Sequence, residues 1–287
     1  MMTRTAHATV APALNRPRLS QPLRNAVMGA VNYVVKTDVK PVIYVSPMGA
    51  GESKRTSTYA ATPVRIHDAR PLSDAMSLEY HGFELHHHPT SISDFYDEEQ
   101  VGRLYYPEME HLVMQATGAS KVLVFDHTIR TTQNPDDKHY RTPVRVVHND
   151  YTERSAPTRA RDLLGDEAEV LLERRRFAVV NVWRPIRGPV TQMPLALVNA
   201  QSVTRADLVA TELKYTDRSG EIYEVTANAG HQWFYFPLME RDEVLLIKGY
   251  DSMEDGRARF TPHTAFEDPT SPPHARESIE VRTLVFF

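Results

Sequence analysis

The second half of this chain is a succession of short runs that read as β-strands. From Lys121 onward, segments rich in β-branched and aromatic residues recur, separated by turn-forming residues. The turn "DRSG" between two alternating runs predicts a hairpin. Many short strands preceded by helical segments favour a β-sandwich or jelly-roll barrel with helices packed outside it. The predicted strands are 121–130, 143–150, 174–186, 194–200, 214–227, 231–239, 242–252, 257–266 and 277–287.

The clearest helical signals lie before and between these runs. The strongest covers 91–119, where apolar residues recur at helical spacing and Gly118 ends the pattern. Further helices are expected at 24–37 and at 158–174. Two more strands are expected at 40–46 and 62–71, from their β-branched or alternating residues.

The chain divides into an arm and one domain. Residues 1–22 are rich in Pro, Arg, Ser and Thr with little periodicity, so we expect a flexible N-terminal arm. The remainder shows no internal repeat and no clear second domain. A length of 287 residues suits a single barrel with helical additions. We therefore predict a mainly β fold with flanking helices, formed as one domain by residues 23–287.

Composition narrows the possible chemistry. The chain has no cysteine, which excludes disulfides, thiolate zinc sites, iron–sulfur clusters and a cysteine nucleophile. Metal ligands must then be His, Asp or Glu, which favours iron, manganese or zinc. A net charge of −4 offers no basic excess for nucleic acid or an anionic membrane. No window approaches the ~18 consecutive apolar residues of a membrane span, and the start lacks a signal-peptide core, so we expect a cytoplasmic protein.

One short motif indicates a metal site. In "VRVVHNDYTERSA", His148 and Asp150 follow a β-branched run two residues apart. Alternate side chains of a strand share a face, so these two point the same way, as adjacent metal ligands must. Two histidines and one carboxylate form the facial triad of iron(II) oxygenases. The third ligand must come from a distant strand, and the candidates are His231 and His263.

The last predicted strand favours His263. In "RESIEVR", a period of two puts Arg276, Ser278, Glu280 and Arg282 on one face. Burying two arginines is costly without an anionic partner, and an arginine fork holds a carboxylate through two parallel bonds. A dicarboxylate ligand beside the metal would satisfy them. His263 is preferred because it directly precedes this strand.

These residues carry a resemblance. The H-x-D motif, a distal histidine and a following R-x-S resemble the iron(II)/2-oxoglutarate dioxygenases. More narrowly, "VFDHTIR", "NVWRPIRGPV", "HQWFYFP" and "DEVLLIKGYDS" with the C-terminal run resemble the family containing the cephamycin-methoxylation hydroxylase and the aspergillic-acid-type hydroxylase/desaturases. The similarity runs from about Val64 to the C-terminus.

The resemblance implies a double-stranded β-helix, a jelly-roll and cupin-like barrel, that uses iron(II), 2-oxoglutarate and O2. It implies that His148, Asp150 and His263 ligate iron and that Arg276 and Ser278 hold 2-oxoglutarate. The gap between His263 and Arg276 is longer than is usual in plant-type relatives, so Arg282 stays an alternative.

The expected activity is hydroxylation, desaturation or cyclisation of a small secondary metabolite, with succinate and CO2 as coproducts. The alternatives are a non-catalytic barrel that binds a small molecule, and a cupin-like metal enzyme that does not use 2-oxoglutarate. Four further residues are candidates to contact substrate, and the alternative for each is a purely structural role. They are His127, Arg130, Trp183 and His231. The sequence indicates neither the substrate nor the oligomeric state.

Overall fold

The chain folds into two β-sheets that face each other. The computed structural model describes residues 23, 25–47, 53–133, 140–174, 176–272 and 274–287. The strands are β1 Ala26–Val34, β2 Val42–Tyr44, β3 Lys54–Arg55, β4 Tyr59–Asp68, β5 Phe83–His87, β6 Lys121–Thr131, β7 His148–Asn149, β8 Phe177–Pro185, β9 Leu195–Val198, β10 Leu208–Lys214, β11 Ser219–Val225, β12 Trp233–Tyr235, β13 Glu243–Asp251, β14 His263–Ala265 and β15 Glu277–Phe286. A ten-stranded sheet has the order β1-β4-β12-β9-β14-β7-β11-β10-β2-β3, and a five-stranded sheet has the order β5-β13-β8-β15-β6.

This architecture confirms the predicted mainly β jelly-roll. The hairpin turn is also confirmed, because β10 and β11 pair antiparallel from Leu208↔Val225 to Lys214↔Ser219. The last strand is central in its sheet, between β8 and β6. Residues predicted to share a face at the C-terminus therefore have neighbours on both sides.

The predicted helix at 24–37 is wrong. This segment forms β1, which pairs antiparallel with β4 from Ala26↔His67 to Val34↔Tyr59. Val31 and Tyr33 are buried on one face, the period of a strand rather than of a helix. Pairing with a distant strand decides the conformation here. The strand predicted at 143–150 is reduced to β7, the two residues His148–Asn149.

The α-helices of the described residues correspond to the other two predicted helical segments, 91–119 and 158–174. They are α1 Glu98–Gln100, α2 Tyr106–Thr117, α3 Ser155–Leu164 and α4 Asp166–Arg174. A π-helical turn, Val101–Tyr105, joins α1 to α2, and α2 ends at Gly118 with φ 70°. Gly118 has no Cβ and accepts this left-handed conformation without strain.

Two apolar clusters position the barrel. In the first, Met109 and Val113 of α2 pack on the outer face of the five-stranded sheet, against Val182 and Val281. In the second, Phe83 and Ile247 of that sheet meet Leu197 and Phe234 of the other sheet between the layers. The interior is therefore apolar around β5, β13 and β12, which leaves the polar site to the side of β7, β14 and β15.

The predicted arm, 1–22, lies outside the described residues. Within the part of the chain that the structure describes, no helix is long and apolar enough to cross a membrane.

Candidate metal and cosubstrate site

Three predicted ligands meet at neighbouring strands. β7 and β14 pair antiparallel through His148↔His263, and Asp150 follows two residues after His148. One ligand atom from each of the three residues lies within 4.8 Å of the other two. The imidazole centroids of His148 and His263 are 4.6 Å apart. The shared face that the H-x-D spacing predicts is thus extended by His263 from the adjacent strand.

Each imidazole is oriented by its own backbone. His148 Nδ1 lies 2.8 Å from the carbonyl oxygen of Val146, and His263 Nδ1 lies 3.0 Å from that of Thr261. A carbonyl only accepts, so each Nδ1 carries the proton and each Nε2 keeps its lone pair. Burial, and next the proximity of His263, lowers the pKa of His148 to about 3, which keeps this imidazole neutral. Both rings are therefore held in the form that binds a metal.

Asp150 presents one oxygen and has the other occupied. Its Oδ2 accepts hydrogen bonds from Asn181 Nδ2 at 2.8 Å and from Arg282 Nε at 3.1 Å. Its Oδ1 lies 3.5 Å from His148 Nε2. Burial by itself raises the pKa of Asp150, but the charge of Arg282 and its hydrogen bond lower it well below its ordinary range. The carboxylate is therefore charged and fixed in one orientation.

A cavity of about 310 Å³, including its open mouth, begins at the two histidines. Its other polar walls come from three strands that pair side by side, β6, β15 and β8. The polar and aromatic lining residues are Arg130, His148, Trp183, His263, Thr264, Arg276 and Glu280. A single cavity is thus lined by the two candidate histidine ligands and by one of the two candidate anion-binding arginines.

Arg276 is a buried cation without a carboxylate partner among the described residues. Its Nη1 donates to the carbonyl oxygen of Met193 at 2.5 Å and its Nε to Ser278 Oγ at 3.1 Å. Its guanidinium lies 5.0 Å from the ring centroid of Trp183. Burial, and next the charge of Arg130, lowers the pKa of Arg276. An incoming anion would relieve this cost.

Arg282 is already neutralised. Its guanidinium lies 2.9 Å from Asp126 Oδ1, 3.1 Å from Asp150 Oδ2 and 3.0 Å from Glu280 Oε1. Burial lowers the pKa of Arg282, but the three carboxylates outweigh this effect and raise it well above the ordinary value. Its donors are directed at protein carboxylates rather than at the cavity.

The four candidate substrate contacts separate into two pairs. Arg130 and Trp183 line the cavity. His127 lies on the opposite face of β6, where its Nδ1 is 2.8 Å from Tyr106 Oη, and His231 is bonded to Tyr33 and lies 3.4 Å from Asp207. Neither His127 nor His231 is among the described residues that line the cavity.

Three supporting residues, Asn181, Asp126 and Asn149, lie outside the set of predicted site residues. Asn181 donates a hydrogen bond to Asp150, and Asp126 accepts one from Arg282. Asn149 links the segment of His148 to that of His263 through Thr261. Asn181 shares a strand face with Trp183 by period two, which was a usable signal. The role of Asp126 follows only from the pairing of β6 with β15, which places Asp126 opposite Arg282.

Comparison with known proteins identifies relatives over nearly the whole chain. Residues 31–286 match the family model described as "Oxidoreductase/YMDC permease-like domain". Hydroxylase/desaturase efuI of Hormonema carpetanum is 34% identical over 253 residues, which cover 80% of this chain and 85% of efuI. The Fe(II)/2-oxoglutarate-dependent dioxygenase nvfI of Aspergillus novofumigatus is 32% identical over 251 residues, covering 82% of this chain and 87% of nvfI.

The fold has a solved counterpart. A structure of the iron and alpha-ketoglutarate-dependent endoperoxidase NvfI superposes with a TM-score of 0.82 and 29% identity. The match covers 92% of this chain and 98% of the solved chain. A second structure of that endoperoxidase gives a TM-score of 0.81.

Proposed function

This chain belongs to the family of Fe(II)/2-oxoglutarate-dependent oxygenases that includes efuI and nvfI, and we propose that it oxidises a small secondary metabolite with iron(II), 2-oxoglutarate and O2. The observation that carries the proposal is the cavity itself. The two histidines of the His–Asp–His cluster line the same cavity as a buried arginine that lacks a carboxylate partner among the described residues.

We propose that His148, Asp150 and His263 hold iron(II). The donor set fits the metal, because two imidazoles and one carboxylate are the facial triad typical of iron(II). The fit also has a structural sign. Both Nδ1 atoms are engaged by backbone carbonyls and Asp150 Oδ2 by Asn181 and Arg282, so each side chain has one free ligand atom. Two of these free atoms, His148 Nε2 and Asp150 Oδ1, lie 3.5 Å apart.

We propose that Arg276 and Ser278 bind the distal carboxylate of 2-oxoglutarate, and that Trp183 adds a donor. The guanidinium of Arg276 is pre-oriented by Ser278 and Met193. Within the described ranges, Trp183 Nε1 is buried without a hydrogen-bond partner, and Trp183 lines the same cavity. A carboxylate oxygen would satisfy both the charge and the unpaired N–H.

The chain's own groups orient the reactants and exclude water. Bound iron(II) supplies the redox chemistry by which O2 and 2-oxoglutarate oxidise a substrate C–H bond, yielding succinate and CO2. The backbone-bonded imidazoles and the clamped carboxylate would hold the metal. Arg276 would hold the far carboxylate of 2-oxoglutarate. Arg282 balances the charge of Asp150.

The substrate would bind in a small cavity whose lining includes charged side chains. We propose that Arg130 and Glu280, which line it, contact the substrate or the space beside it. The relatives are named for hydroxylation, desaturation and endoperoxide formation. These outcomes share one ligand set and differ in where the substrate C–H bond lies, so the reaction type is governed by this lining.

The proposal extends to organisation and location. We propose that residues 23–287 form one oxygenase domain, since strands from both ends of this range enter the two sheets and β1 joins the ten-stranded sheet through β4. A flexible arm at 1–22 and a cytoplasmic location stay predictions of the sequence.

The test uses the purified chain. Anaerobic addition of iron(II) and then 2-oxoglutarate should produce a metal-to-cosubstrate charge-transfer band in the wild type but not in His148→Ala. With O2 and candidate metabolites, succinate should then form in equal amount to oxidised product. Binding of 2-oxoglutarate without succinate would favour the non-catalytic barrel. Substrate oxidation without succinate would favour a metal enzyme that does not use 2-oxoglutarate.

A further inference from the structure

The strand that carries His148 and leads directly into Asp150 has little backbone pairing of its own. β7 is two residues long and meets β14 through the single pair His263↔His148. On its other side it meets β11 through Tyr223↔Asn149 and Glu224↔His148. Asp150 lies just beyond the strand. Backbone pairing alone therefore leaves the Asp150 side of the cluster weakly held.

The side chain of Asn149 supplies the missing connections. It is fully buried, between the two ligands in sequence. Its Nδ2 donates to the carbonyl oxygen of Tyr151 at 2.7 Å and to that of Gly249 at 2.8 Å. Its Oδ1 accepts from the amide nitrogen of Thr261 at 2.9 Å. Both donors of the amide and one lone pair of its oxygen are used.

Each of these bonds reaches a different part of the site. The bond to Tyr151 spans Asp150 and fixes the backbone on either side of it. Thr261 is the residue whose carbonyl oxygen orients the ring of His263. The Asn149 amide therefore connects the backbone around one ligand with the group that orients another.

The third bond crosses to the other sheet. The pairing of β13 with β8 shifts register between Lys248 and Tyr250, which makes Gly249 the bulged residue. A bulge leaves a carbonyl group outside the regular ladder, and that of Gly249 accepts from Asn149. A buried amide with all of these bonds made is rigid, whereas an apolar side chain at this position would leave two carbonyls and one N–H unpaired.

We propose that Asn149 is a positioning residue that sets the distance between the β7 and β14 ligands, and so tunes the geometry and affinity of the metal centre. The inference rests on the proposed function, because it takes His148, Asp150 and His263 as the ligands. Asn149 does not touch the metal. It acts through the backbone of Asp150 and through Thr261.

The test measures metal binding without turnover. Wild type, Asn149→Ala and Asn149→Ser are titrated with cobalt(II), and both the affinity and the visible ligand-field spectrum are recorded. Asn199→Ala is the matched control, because Asn199 is also buried and bonds Gln201 and Gln232 away from the ligands. Thermal melting of the metal-free proteins reports the general cost of losing a buried amide.

Both Asn149 variants should bind cobalt(II) roughly 10- to 100-fold more weakly, the usual effect of removing a group that orients a ligand. Their spectra should change, whereas Asn199→Ala keeps the wild-type affinity and spectrum despite a comparable loss in melting temperature. Wild-type affinity and spectrum in the Asn149 variants would overturn the inference. So would failure of both to fold when Asn199→Ala folds, since the bonds would then serve the fold as a whole. A wild type that binds no cobalt(II) would instead contradict the proposed function.

Discussion

The segment from Arg276 to Arg282 has the same residue type at both ends, on one strand face, but in opposite electrostatic situations. Arg276, just before β15, has neutral partners and lines the cavity. Arg282, in the middle of β15, is within 3.1 Å of three carboxylates. Burial lowers the pKa of both, but only at Arg282 do neighbouring charges reverse the effect.

This contrast teaches what separates a binding arginine from a structural one. A guanidinium whose charge is already balanced gains little from an additional anion, whereas an unbalanced one recovers the cost of its burial when an anion arrives. The Arg276 end is therefore organised to receive a ligand, and the Arg282 end to support the metal side of the site. Four experiments test this division.

The largest effect is expected at the metal ligands beside Arg282. His148→Ala, Asp150→Ala and His263→Ala should each abolish iron binding and turnover, because each removes one of three protein donors. His231→Ala is the matched control, since His231 is equally buried but bonded to Tyr33. The anaerobic charge-transfer band measures the outcome. Loss of that band in His231→Ala together with its retention in His263→Ala would reverse the assignment of the distal ligand.

Next in size is the loss of Arg276. Removing one partner of a buried charge pair costs about 2–5 kcal/mol, so Arg276→Ala should weaken 2-oxoglutarate binding roughly 30- to 4,000-fold. Arg276→Lys should recover only part of this, because a point charge does not reproduce the planar fork. Titration of the iron-loaded, oxygen-free enzyme gives the affinity. Unchanged binding in Arg276→Ala with loss in Arg282→Ala would exchange the roles of the two ends.

At the other end, Arg282→Met should act first on stability. It leaves three carboxylates facing one another, which we estimate at about 1–3 kcal/mol of unfolding free energy, less than for a fully buried pair because Asp126 is partly exposed. Arg282 holds the pKa of Asp150 below its unfolded value, so this stabilisation is present above about pH 4 and is lost as pH falls. Urea unfolding of the metal-free proteins should therefore show a deficit at neutral pH that shrinks in acid. A deficit that is independent of pH would argue against an electrostatic role.

The smallest effect on 2-oxoglutarate binding is expected at Ser278, which accepts a hydrogen bond from Arg276. Ser278→Ala removes one hydrogen bond to the guanidinium, worth about 0.5–1.5 kcal/mol, so 2-oxoglutarate affinity should fall about 2- to 12-fold. Thr283→Val on the same strand is the control, because Thr283 Oγ1 donates to the carbonyl oxygen of Val180 and not to Arg276. Equal losses of affinity in the two variants would mean that the strand as a whole, and not Ser278, supports binding.

Local pattern accounts for much of what could be read in advance. The strand-rich second half, the common face of His148 and Asp150, and the alternation from Arg276 to Arg282 all follow from the two-residue period of a strand. They need no knowledge of which segment lies alongside. The same local reasoning failed at 24–37, because the pairing of β1 with β4 outweighs a weak helical preference.

The tertiary structure alone decided which of two similar residues does what. His263 joins the cluster because β14 pairs with β7, while His231 is bonded to Tyr33 elsewhere in the same sheet. Arg282 is neutralised because β6 and the end of β7 bring Asp126 and Asp150 to it. Arg276 remains available because its hydrogen-bond partners among the described residues, Met193 and Ser278, are neutral. The sequence determined which faces the charged side chains occupy. Their partners come from strands far apart in the chain, so only the folded sheets could decide which charges are balanced.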